Sequence, residues 1–171
     1  DGQWLASAGF DKTVKIWNVA DGMLIRSIEA HNGPVYSVTF SPDGKLLATA
    51  GIDGLIRLWN PADGQQVREI KGHEGVVDTV RFTPDGQRLV SGGQDKTVRI
   101  WNVADGAEQK KLEGHKGTIY LVAIRGDGAL AASASQDKTI RLWNLADGTA
   151  GKELAGSGDA VLGLSFSPDG K

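Results

Sequence analysis

The sequence has no cysteine and a single methionine. It therefore has no disulfide framework and no thiolate metal site, and a chain of this size must hold itself together by burying apolar surface. A reducing compartment fits that composition, so cytoplasmic localisation is the expectation. An excess of charge of either sign is also missing. The 19 basic and 21 acidic side chains leave a formal net charge of -2, which gives no basic footprint for nucleic acid and no polybasic patch for a membrane surface. No apolar run approaches the roughly 18 residues of a membrane-spanning helix, and the first residues lack the pattern of a secretory signal. Aromatics make up only 6% of the chain, yet Trp, usually the rarest of them, is the commonest, with five against four Phe and two Tyr. That imbalance points to the Trp positions.

Trp17, Trp59, Trp101 and Trp143 stand 42 residues apart, as do Asp11, Asp53, Asp95 and Asp137, and Ser7, Thr49, Ser91 and Ser133. His31, His73 and His115 keep the same step, and the fourth place falls on Ser157. The fullest copy, residues 72–102, reads GHEGVVDTVRFTPDGQRLVSGGQDKTVRIWN, and no copy carries an insertion. A fixed period of about 40 to 45 residues, with Gly-His near its start and a Trp-Asp-like pair near its end, is the signature of a propeller array. On these residues the chain resembles the WD40 repeat family over its whole length.

Residues 1–8 (DGQWLASA) align with residues 43–50 (DGKLLATA), so the chain opens at a turn leading into the second strand of a repeat. Residues 13–18 (TVKIWN) are alternating and rich in β-branched types, and read as the next strand; Asp21-Gly22 turns them into a fourth over residues 23–29. The first strand of a complete repeat follows over residues 35–41, closed by Pro42-Asp43-Gly44, where Pro presets φ and Gly accepts a positive φ. Gly supplies 24 of the 171 residues, well above the usual share of about 7%, as short strands joined by tight turns require. Two further units keep the register, and residues 156–167 read as a first strand alone. The sequence thus predicts an all-β propeller segment over residues 1–171, with four blade units: 31–72, 73–114, 115–156, and one split between residues 1–30 and 157–171. Four such blades do not close easily on themselves, and the two chain ends are complementary. A homodimer closing an eight-bladed ring is the expected assembly.

The resemblance implies a hydrogen-bonded tetrad in each blade, in which Trp donates to a Ser or Thr hydroxyl, the hydroxyl to His, and His to Asp. The sets are His31, Thr49, Asp53 and Trp59; His73, Ser91, Asp95 and Trp101; and His115, Ser133, Asp137 and Trp143. The split unit has Ser7, Asp11 and Trp17 but Ser157 in place of His. Ser, His and Asp also compose acyl-transfer triads, but a set repeated in every blade reads as scaffolding, since catalysis needs one site with a pocket. The three His lie on equivalent loops of different blades and do not converge on a metal. Arg125-Gly126-Asp127 occupies a turn that reads SPDG or TPDG elsewhere, so it is a drifted turn rather than an adhesion signal. The Asp-Gly pairs fit no calcium loop. Residues 108–113 (EQKKLE) and Lys71 read as a solvated outer strand.

The resemblance further implies that partners bind the face bearing the loops between fourth and first strands and between second and third strands. Three positions per blade point there: three and five residues after the His, and one before the turn Asp. They are Pro34, Tyr36 and Ile52; Val76, Asp78 and Gln94; Thr118, Tyr120 and Gln136; and Ala160, Leu162 and Phe10 in the split unit. Phe10, Tyr36 and Ile52 are expected to form one patch from neighbouring blades. The functional expectation is a non-enzymatic protein-protein interaction scaffold with a protein or peptide partner, no cofactor, no nucleic acid and no membrane. One alternative is part of a larger bacterial-style multidomain signalling protein. The other, from a different class, is a hydrolase or lyase site in the central channel, where the first strands offer Ser37, Thr39, Asp78, Thr79, Arg81 and Arg125 but no His.

Overall fold

The structure is a computed structural model that describes residues 2–170; Asp1 and Lys171, the outer ends of the split unit, lie outside the described residues. Alternating β-branched and apolar residues between Asp-Gly turns fold into strands, each paired with its neighbour in sequence. The first sheet holds β1 (Trp4–Ala8), β2 (Thr13–Asn18) and β3 (Leu24–Glu29). The second holds β4 (Val35–Phe40), β5 (Leu47–Gly51), β6 (Ile56–Trp59) and β7 (Gln66–Ile70). The third holds β8 (Val77–Phe82), β9 (Arg88–Gly93), β10 (Val98–Asn102) and β11 (Glu108–Leu112). The fourth holds β12 (Ile119–Ile124), β13 (Leu130–Ser135), β14 (Ile140–Asn144) and β15 (Ala150–Leu154). All pairings are antiparallel. No helix among the described residues is long and apolar enough to cross a membrane.

The sheets stack as blades, with β1 against β4, β4 against β8, and β8 against β12. The core lies in the three seams between them. Val14, Ile16 and Ile28 of the first sheet meet Val35, Leu47 and Trp59 of the second. Ile56, Leu58 and Ile70 meet Val80, Leu89 and Trp101, and Val98, Ile100 and Leu112 meet Val122, Ala131 and Trp143. A middle strand is covered on both faces, so β5 (LATAG) is buried throughout and must be small or apolar at every position. The outer strand β15 is exposed along its length and β11 along most of it, which suits their charged residues.

Residues 156–167 depart from expectation and form no strand. In the repeat's register their ladder partner is β1, at the far end of the stack, and without that partner their backbone groups are left to solvent. The segment nonetheless leaves the fourth sheet on the path of a first strand. Val161 N donates to Ser135 O at 3.2 Å, as Val35 N donates to Gly9 O at 3.1 Å, and Lys138 Nζ holds Gly158 O at 2.9 Å. The first sheet is left with three strands and a bare face. Leu5 is 56% exposed, where its counterparts Leu47 and Leu89 are 0% exposed.

The turns carrying the repeated Asp all need a left-handed residue. Lys12, Lys96 and Lys138 have φ of 71°, 65° and 71°, and the equivalent Gly54 has 75°. At Gly54 a Cβ would also meet Gly75 O of the next blade's loop at 2.9 Å. Glycine there answers two demands, conformation and space.

Candidate functional site

Each complete blade joins its four repeated side chains by hydrogen bonds. In the second sheet Trp59 Nε1 donates to Thr49 Oγ1 at 3.0 Å, Thr49 Oγ1 lies 2.8 Å from His31 Nε2, and His31 Nδ1 lies 2.7 Å from Asp53 Oδ1. The third sheet has Trp101 to Ser91 at 2.8 Å, Ser91 to His73 at 2.6 Å, and His73 to Asp95 at 2.9 Å. The fourth has Trp143 to Ser133 at 2.8 Å, Ser133 to His115 at 2.7 Å, and His115 to Asp137 at 2.8 Å. In these three tetrad links a neutral His with its proton on Nδ1 donates to the carboxylate and accepts from the hydroxyl; at His31, Arg57 Nη1 also lies 2.8 Å from Nδ1. In the first sheet only Trp17 to Ser7, at 2.9 Å, remains. There Asp11 turns to Thr13 and to Lys15, whose Nζ is 2.6 Å away.

This connectivity matches that of an acyl-transfer triad, but Thr49, Ser91 and Ser133 are fully buried. Each hydroxyl also accepts an indole N–H, so none is presented to a substrate. Burial is the largest influence on Asp95 and Asp137 and raises them, yet the bonds from His73 and His115, and from Thr97 and Thr139, hold both carboxyls below the ordinary carboxylate range. For His31 and His115 burial is again the largest influence and lowers them. At His31 and His115 the network is therefore neutral imidazole against carboxylate at pH 7.

A fifth member was missed in the sequence. Arg57 Nη1 donates to Asp53 Oδ2 at 2.8 Å and to Ala30 O of the preceding loop at 3.0 Å, and its Nη2 is 3.0 Å from Glu69. Arg99 repeats the brace on Asp95 at 3.0 Å and Glu108 at 2.6 Å. In the fourth sheet Arg141 pairs with Glu153. The available signal was the same 42-residue step through Lys15, Arg57, Arg99 and Arg141.

On the loop face, backbone bonds set two of the three named positions of each complete blade side by side. Ile52 N donates to Pro34 O at 3.0 Å, Gln94 N to Val76 O at 2.9 Å, and Gln136 N to Thr118 O at 2.8 Å. The third position sits on a β-bulge in every case: the register slips at Tyr36, at Asp78 and at Tyr120. A bulge sets two residues against one and re-aims a side chain. The Phe10 and Tyr36 rings meet edge to face at 5.7 Å, and Phe10, Tyr36 and Ile52 are 76%, 41% and 44% exposed. Leu162 is also exposed, and Ala160 part-buried, but both belong to the segment beyond the fourth sheet, so a single chain does not bring them to Phe10. Arg125 and Asp127 pair with each other, Nε to Oδ1 at 2.9 Å and Nη2 to Oδ2 at 2.7 Å, within their turn. Among the described residues no cluster of His, Asp and Glu is arranged to hold a metal ion.

A family profile described as "WD domain, G-beta repeat" (WD40) matches residues 1–18, 22–60, 64–102 and 106–144. Among curated proteins, F-box-like/WD repeat-containing protein TBL1X of Mus musculus is 56% identical over 39 residues, which is 23% of this chain and 7% of that protein. WD40 repeat-containing protein HOS15 of Arabidopsis thaliana is 51% identical over 39 residues, 23% of this chain and 6% of that protein. Small ribosomal subunit protein RACK1 of Drosophila melanogaster is 46% identical over 39 residues, 23% of this chain and 12% of that protein. Each match is about one repeat long and spans a small part of the relative.

Proposed function

This chain belongs to the WD40 repeat family, and from that premise we propose that it is a non-enzymatic protein-interaction platform whose partner docks on the loop face at Phe10, Tyr36 and Ile52. The observation that carries this reading is the exposure of these three large apolar side chains together, two of them in ring contact. Aromatic anchors grouped on one face are the residue types that dominate interface energies. The Drosophila relative is named as a protein of the small ribosomal subunit, an assembly, which favours binding over catalysis. Peptides selected from a displayed library on this chain test the reading. Tyr36→Ala or Phe10→Ala is expected to weaken them by about 2 kcal/mol while leaving the melting temperature nearly unchanged. Peptides indifferent to both substitutions would remove the site.

A second reading concerns assembly and has its own support. A seam draws on a first strand and on the two strands after it: Val35, Val38 and Phe40 join Leu47 and Trp59 in one, and Val77, Val80 and Phe82 join Leu89 and Trp101 in another. The corresponding set beyond the fourth sheet is divided between the chain's two ends, as Val161, Leu164 and Phe166 on one and Leu5 and Trp17 on the other. Two copies meeting end to start, twice, would reunite both sets in an eight-bladed ring with no open end.

A further inference from the structure

We propose that Asp78, on the bulge between the Tyr36 and Tyr120 positions of the neighbouring blades, receives a cationic side chain, the guanidinium or ammonium of an Arg or Lys presented by the protein partner. The inference rests on the loop face being a partner surface and adds the chemistry of what docks there.

The geometry comes first. Tyr36, Asp78 and Tyr120 occupy the same bulged register of β4, β8 and β12, strands in lateral contact, so one carboxylate stands between two aromatic positions. Asp78 Oδ2 is buried and has no hydrogen-bond partner, while the residue as a whole is part-buried. The nearest arginine in sequence does not serve it. Arg81 Nη1 donates to Ser37 Oγ at 3.2 Å and to Val80 O at 2.9 Å. Burial raises the Asp78 pKa to about 6, and no neighbouring charge opposes the rise. The repeated carboxylates of this face are treated differently: Asp53, Asp95 and Asp137 each hold a His, and the first two also hold an arginine. A carboxylate oxygen without a donor, flanked by two aromatic positions, suits a cation on two counts, since it offers a charge-assisted hydrogen bond and aromatic rings attract positive charge. An anionic or purely apolar group would leave Oδ2 without a donor or add like charge.

The test uses the whole chain and a capped Gly-Arg-Gly peptide, with the capped Gly-citrulline-Gly peptide, which is isosteric and uncharged, as comparison. Binding is read by NMR at the Asp78 side-chain carbonyl carbon and at the ring protons of Tyr36 and Tyr120. The arginine peptide is expected to shift these signals saturably in the millimolar range, and the citrulline peptide to bind about tenfold more weakly, the loss of one charge-assisted hydrogen bond. Asp78→Asn, which keeps the shape, should bring the two peptides to equal affinity, whereas Arg81→Gln should leave the difference in place. Saturable binding of both peptides with equal affinity to the unsubstituted chain would overturn the proposal, as would no binding at all. Either failure is separate from that of the platform itself, whose own test runs through Phe10 and Tyr36 with peptides of any charge.

Discussion

At the scale of single residues, Asp78 is held at an energetic loss. Its pKa rises from 3.8 to about 6, so between those values the folded chain keeps a proton that the unfolded chain has released. Stability therefore falls as pH rises through that window. Because the side chain is half in solvent, the loss at pH 7 is reduced to about 1 to 2 kcal/mol. Asp78→Asn removes the titration, and it should melt higher than the unsubstituted chain at pH 7 and level with it near pH 4. Equal melting at both pH values would show that the carboxylate is solvated after all. The tetrad histidines act in the opposite sense: His31 and His115 are lowered from 6.5 by burial, so their contribution is whole above that value and is lost as pH falls below it. Asp95 and Asp137 keep theirs until pH drops below 3.8. The hydroxyl of the tetrad gives a cleaner comparison. Ser91→Ala strands the Trp101 N–H and a ring nitrogen of His73 in the interior, at about 1 to 3 kcal/mol for each. Ser7→Ala, at the equivalent but exposed position, is expected to change stability by less than about 0.5 kcal/mol. Urea denaturation of the two variants measures the contrast, and equal losses would mean that the buried network contributes nothing beyond the exposed bond.

At the scale of elements, the period made the strands and turns readable because a blade's middle strands are covered on both sides and tolerate little change. LATAG in β5 and the LVSGG of β9 in the same register differ in residues but not in their pattern of small and apolar types. The bulges at Tyr36, Asp78 and Tyr120 were not readable, since nothing in VYSVTF, VDTVRF or IYLVAI marks a place where two residues oppose one. The arginine brace was readable only as a repeated position and not as a brace, because an Arg two residues before the Trp looks like any solvated strand residue until Asp and Glu are seen on either side. The missing strand over residues 156–167 shows the reverse error: its sequence has strand character, but a strand also needs a partner, which local pattern does not supply. Turn geometry allows a further prediction. Lys96 holds φ 65°, a conformation that disfavours a side chain by about 1 to 2 kcal/mol. Lys96→Gly gives back part of that in unfolded-state entropy and is expected to gain about 1 kcal/mol. A loss of stability on thermal melting would mean that the Lys side chain contributes contacts outweighing the strain.

At the scale of the whole molecule, the two ends of the stack differ from its interior in one respect, the lack of a neighbouring blade. Leu5 and Trp17 lose the cover that Leu47 and Trp59 enjoy, and Ile140 and Leu142 of the fourth sheet are only part-buried where Ile56 and Leu58 are buried. These are the counterparts of opposite faces of one seam, so in the proposed ring a second copy would offer each end the surface it lacks. In the proposed join the segment would set out from contacts made within the single chain, Val161 bonded to Ser135 and Lys138 to Gly158. The chain is therefore expected to travel as a dimer of twice 18.1 kDa in light scattering. Leu5→Glu should return it to a monomer, because a carboxylate in the rebuilt seam would have no partner. Deleting residues 160–171 should do the same by removing Val161, Leu164 and Phe166. Ser157→His should act in the other direction and raise the melting temperature of the dimer, as it offers an imidazole to Ser7 and Asp11 of the opposite copy, which have none of their own. A monomer at micromolar concentration, or a dimer indifferent to both Leu5→Glu and the deletion, would sink the ring and leave the bare ends to some other cover.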